Sequence, residues 1–116
     1  NGRGEGSAGG FKLDDSQTVD LLLMCDVYHH LTKPRAFIRA VCGALKPESG
    51  RFVLIDFWRD HTVHTSHTDP NWIYEHIRAD RDVFLEEITS QGLVIDEEIV
   101  LEGLRENYIL VFKRKD

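Results

Sequence analysis

Two apolar runs, held apart by one amphipathic stretch, limit what this chain can fold into. Residues 19–25 read Val-Asp-Leu-Leu-Leu-Met-Cys, apolar after Asp20, and residues 51–58 read Arg-Phe-Val-Leu-Ile-Asp-Phe-Trp, apolar until Asp56. Each has the length and composition of a strand buried on both faces in a parallel sheet. Between them Phe37, Ile38, Val41, Cys42 and Leu45 recur at the spacing of one helix face. Thr32 is placed to cap that helix, Pro34 suits its first turn, Pro47 stops it, and Glu48-Ser49-Gly50 makes the following turn. Strand, helix and strand in so short a span form a βαβ unit, which implies a parallel pair joined by a right-handed crossover.

The rest of the chain extends that α/β pattern. Residues 59–74 are polar, contain Pro70 and read as a long loop, with one helical turn over residues 72–76. Asp80 or Asp82 is placed to cap a second helix that turns Val83, Phe84, Leu85 and Ile88 inward and ends at Gly92. Residues 93–101 and 107–113 then read as two strands, made antiparallel by a short turn around Gly103. At the other end, five of the nine glycines fall in the first ten residues. Nothing apolar there offsets the entropy of ordering, so residues 1–16 are expected to be disordered. Gly2-Arg3-Gly4-Glu5-Gly6 matches a phosphate-loop string but lacks the flanking strand and helix that such a loop needs, so the match is read as accidental.

Composition narrows the partners. A chain of 116 residues, 41% of them hydrophobic, supports one core and no second domain. A net charge of −6 disfavours nucleic acid and anionic lipid, and the basic tail Lys113-Arg114-Lys115 reads as a solvated chain end. Cys25 and Cys42 lack Cys-x-x-Cys spacing and read as reduced, buried thiols. No apolar run approaches the length of a membrane span, and the N-terminus does not resemble a signal peptide. The expectation is a soluble, cytoplasmic protein with neither nucleic acid nor membrane as partner.

In open parallel sheets, ligands bind beyond the carboxyl ends of the strands. The first run ends in Cys25, Asp26, Val27, Tyr28, His29 and His30, and the second in Asp56, Trp58, Arg59 and His61. An acid with two imidazoles at one strand end can bind a polar ligand or move a proton near neutral pH. The bland alternative makes Asp26 a turn cap and the histidines half-exposed loop residues; the strand-end position favours the functional one. His61, His64 and His67, with Asp60 and Asp69 beside them, have a spacing that invites a metal, but the irregular backbone expected around Asp69-Pro70-Asn71 argues for a solvated loop with no metal. His76 reads as a helix-surface residue, and Trp58 and Trp72 as packing residues with one edge in the cleft.

The segments 19–31, 34–47 and 50–57, with the terminal hairpin, resemble the class I S-adenosylmethionine-dependent methyltransferases over residues 17–113. The Leu45-Lys46-Pro47-Glu48-Ser49-Gly50 turn is one residue longer than that family's usual one. The resemblance implies an α/β, Rossmann-like methyltransferase fold, present in part: its strands four to seven, the last antiparallel, with two helices, in the order first, second, fourth, third. It implies S-adenosylmethionine as the cofactor of the full-length protein, and methyl transfer to a small or medium-sized acceptor. Cys25, Asp26 and Val27 would line the methionine end of the cofactor. Asp26, His29 and His30 would carry the proton chemistry, and Tyr28, Asp56, Trp58 and Arg59 would face the substrate. The family's opening strand, glycine loop and ribose-binding acid have no counterpart here. The implied partners are therefore a small-molecule substrate and either a missing N-terminal half or a second copy, paired along the exposed edge of the first strand. A contrasting expectation is a noncatalytic remnant or interaction fragment that associates through that edge.

Overall fold

A computed structural model describes residues 18–115, so the expectation for residues 1–16 lies outside the described residues. Strands β1 (Leu21–Cys25), β2 (Arg51–Phe57), β3 (Leu93–Ile99) and β4 (Asn107–Arg114) form one sheet in the order β1-β2-β4-β3. β1 and β2 are parallel, and β4 runs antiparallel to both β2 and β3, as the crossover argument requires. Three helices accompany the sheet: α1 (Pro34–Ala44), the short α2 (Trp72–His76) and α3 (Arg81–Thr89). None of them is long and apolar enough to cross a membrane.

One core forms on one face of the sheet. Phe52 and Leu54 of β2 and Leu110 and Phe112 of β4 pack there against Phe37, Ile38 and Val41 of α1 and Phe84 and Ile88 of α3. Two cross-links, Arg35 to Glu86 and Arg39 to Gln91, join the helices over that face. Burial on both faces, the expectation for the first strand, is not met among the described residues. Leu21 and Leu23 remain 61% and 57% exposed, because α1 and α3 both take the opposite face.

The helix boundaries obey local rules with two corrections. Pro34 occupies the first helical position of α1, which makes Lys33, not Thr32, the residue before it, and no side chain caps that end. In α3 the cap is Asp80, whose carboxylate accepts from the Arg81 amide. Val83, expected inward, is 47% exposed, and Glu87 takes an inward position instead. Its buried carboxylate is fully engaged, by Arg78 at 2.7 and 2.9 Å and by the Tyr28 hydroxyl at 2.9 Å. Burial alone would raise the Glu87 pKa; the hydrogen bonds from Arg78 and Tyr28 outweigh it and hold the group below the ordinary carboxylate range.

The turn between α1 and β2 tolerates only glycine at its end. A Cβ built on Gly50 would lie 2.6 Å from the Lys46 carbonyl oxygen and 2.7 Å from its nitrogen, both backbone atoms. Gly43, inside α1, has nothing within 4 Å of the same position. Alanine at these two sites is therefore expected to act with opposite signs. Gly50→Ala should lower unfolding free energy by about 2 kcal/mol through overpacking. Gly43→Ala should raise it by about 0.5–1 kcal/mol through helix propensity. Urea unfolding of both variants checks the pair, and equal signs would contradict it.

Candidate functional site

The carboxyl ends of β1 and β2 are tied together by one buried side chain. Alternation along β2 puts Phe52, Leu54 and Asp56 on the core face, so Asp56 is carried inward with no exposed surface. A buried carboxylate is costly unless its oxygens are satisfied. Here Oδ1 accepts from His29 Nδ1 at 2.8 Å and from the Phe57 amide at 2.8 Å, while Oδ2 accepts from the His29 amide at 3.2 Å. Asp56, expected from the sequence to face a substrate, is thus buried and bonded through both oxygens to His29.

His29 reaches Asp56 because the chain reverses sharply after β1. Asp26 adopts φ 59°, a left-handed conformation that Asp tolerates better than most residues, and residues 28–30 follow as a single 3-10 turn. Asn107, at the start of β4, donates to Asp26 Oδ1 at 2.7 Å and so anchors the reversal to the far side of β2. The bond from His29 Nδ1 to an acceptor-only carboxylate fixes the tautomer of the neutral ring, leaving the lone pair on Nε2. Nε2 makes no hydrogen bond among the described residues, and the residue keeps 8% of its surface open. The His30 ring lies 4.2 Å from that of His29 and is exposed.

The neighbouring acids and thiol are tuned by this arrangement. Burial first, and then the Asp56 charge, push the Asp26 carboxyl up, against the Asn107 hydrogen bond that lowers it. Burial and the Asp26 charge push the Cys25 thiol up as well, which disfavours a thiolate there. Cys25 and Val27 are exposed beside Asp26, where a ligand could reach them.

Two other predicted site residues are committed elsewhere. Tyr28 has no exposed surface; its ring meets Phe84 edge-on at 5.1 Å and its hydroxyl is spent on Glu87, so it is a core residue. Arg59 organises the loop behind it, donating to the Ile77 carbonyl at 2.8 Å and lying over the Tyr74 ring. Trp58 remains at the strand ends. With Ile99, Val100, Leu101, Leu104 and Tyr108 it lines a cavity of about 70 Å³ under the turn between β3 and β4. A larger concavity of about 450 Å³, lined by Pro47, Glu48 and Lys113 to Lys115, lies at the opposite end of the sheet, away from this chemistry.

The histidine loop differs from a solvated one at one position. His61 and His67 are exposed, but His64 is 3% exposed and has each ring nitrogen within hydrogen-bonding distance of an acceptor. Trp72 stacks on His67 at 3.7 Å and on His76 at 5.1 Å, and Phe57 meets Trp72, His64 and His29. No group of three or more His, Cys, Asp or Glu side chains among the described residues is placed to hold a metal ion. The roles of His64, Asn107 and the apolar turn were not read from the sequence. His64 carries no pattern that separates it from its exposed neighbours, whereas Val100, Leu101 and Leu104 form an apolar cluster at a turn that could have been noticed.

No family model and no curated protein matches this chain in sequence. Solved structures do match in fold. A putative methyltransferase from Haloferax volcanii, solved with the methyltransferase activator Trm112, is 16% identical with a TM-score of 0.68, covering 98% of this chain and 61% of its own. The N-methyltransferase NodS of Bradyrhizobium japonicum, solved with S-adenosyl-L-homocysteine, is 18% identical with a TM-score of 0.59, covering 90% of this chain and 50% of its own. A pericyclic reaction enzyme is 11% identical with a TM-score of 0.62, covering 84% of this chain and 27% of its own. At these identities the likeness establishes the fold, a partial methyltransferase-like α/β sheet; the chain spans between 27% and 61% of the three structures.

The reversal at Asp26 can be probed directly. Asp26→Ala should cost about 1 kcal/mol more in unfolding free energy than Asp26→Gly, since both lose the Asn107 bond but only alanine keeps the left-handed strain. Parallel denaturation curves for the two variants measure that difference, and a tie would mean the turn relaxes.

Proposed function

We propose that this chain is the acceptor-side half of an S-adenosylmethionine-dependent methyltransferase, with His29 as the proton acceptor. The observation that carries the reading is the buried Asp56–His29 pair, which holds an imidazole at the strand ends with its lone pair on the outward nitrogen. The fold neighbours support the cofactor class. S-adenosylmethionine supplies, when bound, an electrophilic methyl group on a sulfonium.

The residues present fit one end of that cofactor. Cys25 and Val27 are exposed at the end of β1 on either side of a half-buried Asp26, whose carboxyl group suits a cationic sulfonium and its amino group. A glycine loop and a ribose-binding acid do not occur among the described residues, so the adenine and ribose would be held by other chain. His29 takes the proton released by a hydroxyl or amine acceptor onto Nε2. Asp56 stabilises the imidazolium so formed through the Nδ1 bond, and the exposed His30 ring lies 4.2 Å from that of His29. Trp58, at the same strand ends, would lie beside a small or medium-sized acceptor, whereas the cavity of about 70 Å³ beneath the β3–β4 turn is too small to enclose one.

A second reading is favoured by the exposed Leu21 and Leu23 on the edge strand β1: a noncatalytic module that pairs with another chain, whether a complementary half or a second copy. Two measurements separate the readings. Calorimetry on this chain alone should find weak or absent S-adenosylmethionine binding. In a protein carrying this segment together with a cofactor-binding half, His29→Ala should lower kcat by about 10²–10⁴-fold, the range for general base catalysis. Because it leaves the buried Asp56 one donor short, it should also lower the unfolding midpoint, so turnover is compared at a temperature where both proteins are folded. Unchanged turnover in His29→Ala would remove the proton-acceptor role, and absence of methyl transfer in the joined protein would favour the pairing module.

A further inference from the structure

His64 faces two hydrogen-bond acceptors with a ring that, when neutral, has one donor. Its Nε2 lies 2.7 Å from the Trp58 carbonyl oxygen and its Nδ1 lies 3.2 Å from Glu106 Oε1. A carbonyl can only accept, so the proton of the neutral ring belongs on Nε2. That leaves the Nδ1 lone pair aimed at a carboxylate oxygen, a repulsive contact. Only the doubly protonated ring satisfies both neighbours. It does so inside the protein, at 3% exposure, with Phe57 and Trp72 edge-on at 5.7 and 5.6 Å.

We infer that His64 is a proton-dependent clamp, which as imidazolium fastens the loop after β2 to the ends of β2 and β4, and which releases that loop when it becomes neutral. Trp58 is the first residue beyond β2 and Glu106 the last before β4, so the two bonds straddle the hydrogen bond by which the Trp58 amide and the Glu106 carbonyl extend that pair. The part held is residues 60–67, since α2 has its own anchors in the buried Ile73 and Ile77. Release would unseat the His67 ring from Trp72 and uncover Phe57, whose ring also meets His29 at 6.0 Å. The clamp thereby bears on the proposed site, but the clamp itself is tested without turnover.

Other charged groups surround it and must be separated from it. Glu106 faces it from the β3–β4 turn and Asp60 from its own 3-10 turn, where Asp60 is held by Thr62. His67 and His76 lie beyond Trp72, His29 with Asp56 lies beyond Phe57, and His61 sits on Tyr74. Glu106→Gln isolates the clamp. A glutamine amide can donate to the Nδ1 lone pair, so the neutral ring then satisfies both partners and the loop no longer needs the second proton.

Amide hydrogen exchange over residues 60–67, corrected for intrinsic rates, reads the clamp in the chain as it stands. Between about pH 5.5 and about pH 8.5, protection in the unmodified protein should fall about tenfold or more, the scale of one charge-assisted hydrogen bond. In Glu106→Gln the loop should stay protected at both values, and in His64→Ala it should exchange fast at both. Nitrogen NMR of the ring should show two N–H groups at the lower pH. Equal protection of the unmodified protein at both values would overturn the inference. So would a Glu106→Gln variant that keeps the unmodified pH response, because another group would then be the sensor. Should His64→Ala fail to fold, the profiles of the unmodified protein and of Glu106→Gln decide the question.

Discussion

A single buried carboxylate holds the working end of this molecule together. Asp56 gathers three N–H donors, two of them from His29, and so pins the chain after β1 onto the chain of β2. The backbone bond sets where the turn lies and the ring bond sets how the imidazole faces. The ring bond leaves the lone pair on Nε2, and the two bonds together set where that nitrogen lies. The cost of burying an ionised group enforces the geometry, since an Asp56 stripped of His29 would keep only the Phe57 amide. The left-handed turn at Asp26 and its Asn107 anchor follow from the same requirement, because they bring residue 29 back over the end of β2.

The two edges of the sheet are treated differently. β3 presents Asp96, Glu97 and Glu98, with a bulge between Ile95 and Glu97, and Asp96 is paired with Arg51. Charges and a bulge are what discourage strand addition. β1 carries Leu21 and Leu23 exposed and has no such defence. The less protected edge is thus the strand whose carboxyl end leads into His29.

Much of this was legible in the sequence, for identifiable reasons. The βαβ unit showed because β2 is apolar on both faces and α1 on one, and periodicity reports that directly. The strand-end location of Asp26, His29 and His30 followed from topology. Periodicity could not say which of the polar strand-end residues turn inward. Asp56 and Tyr28 were read as facing a ligand, yet β2's alternation and the 3-10 turn bury both. Burial of Leu21 and Leu23 was over-read from composition, which reports that a side chain is apolar but not whether anything covers it. His64 escaped because one of its two ring partners, Glu106, is 42 residues away in the chain.

The four strand ends divide the work in a way the topology makes natural. β1 and β2, being parallel and adjacent, place their carboxyl ends side by side, which suits a paired acid and imidazole. β4 runs the other way, so its first residues, not its last, reach the same edge, and Asn107 can brace Asp26 across β2. The turn that joins β3 to β4 is therefore carried to the same edge, where its apolar residues lie against Trp58 and Tyr108. Inserting an antiparallel strand between β2 and β3 thus does more than fill the sheet. It brings the β3–β4 turn, the Glu106 partner of His64 and the Asn107 brace to one place, close to the imidazole that the Asp56 carboxylate holds.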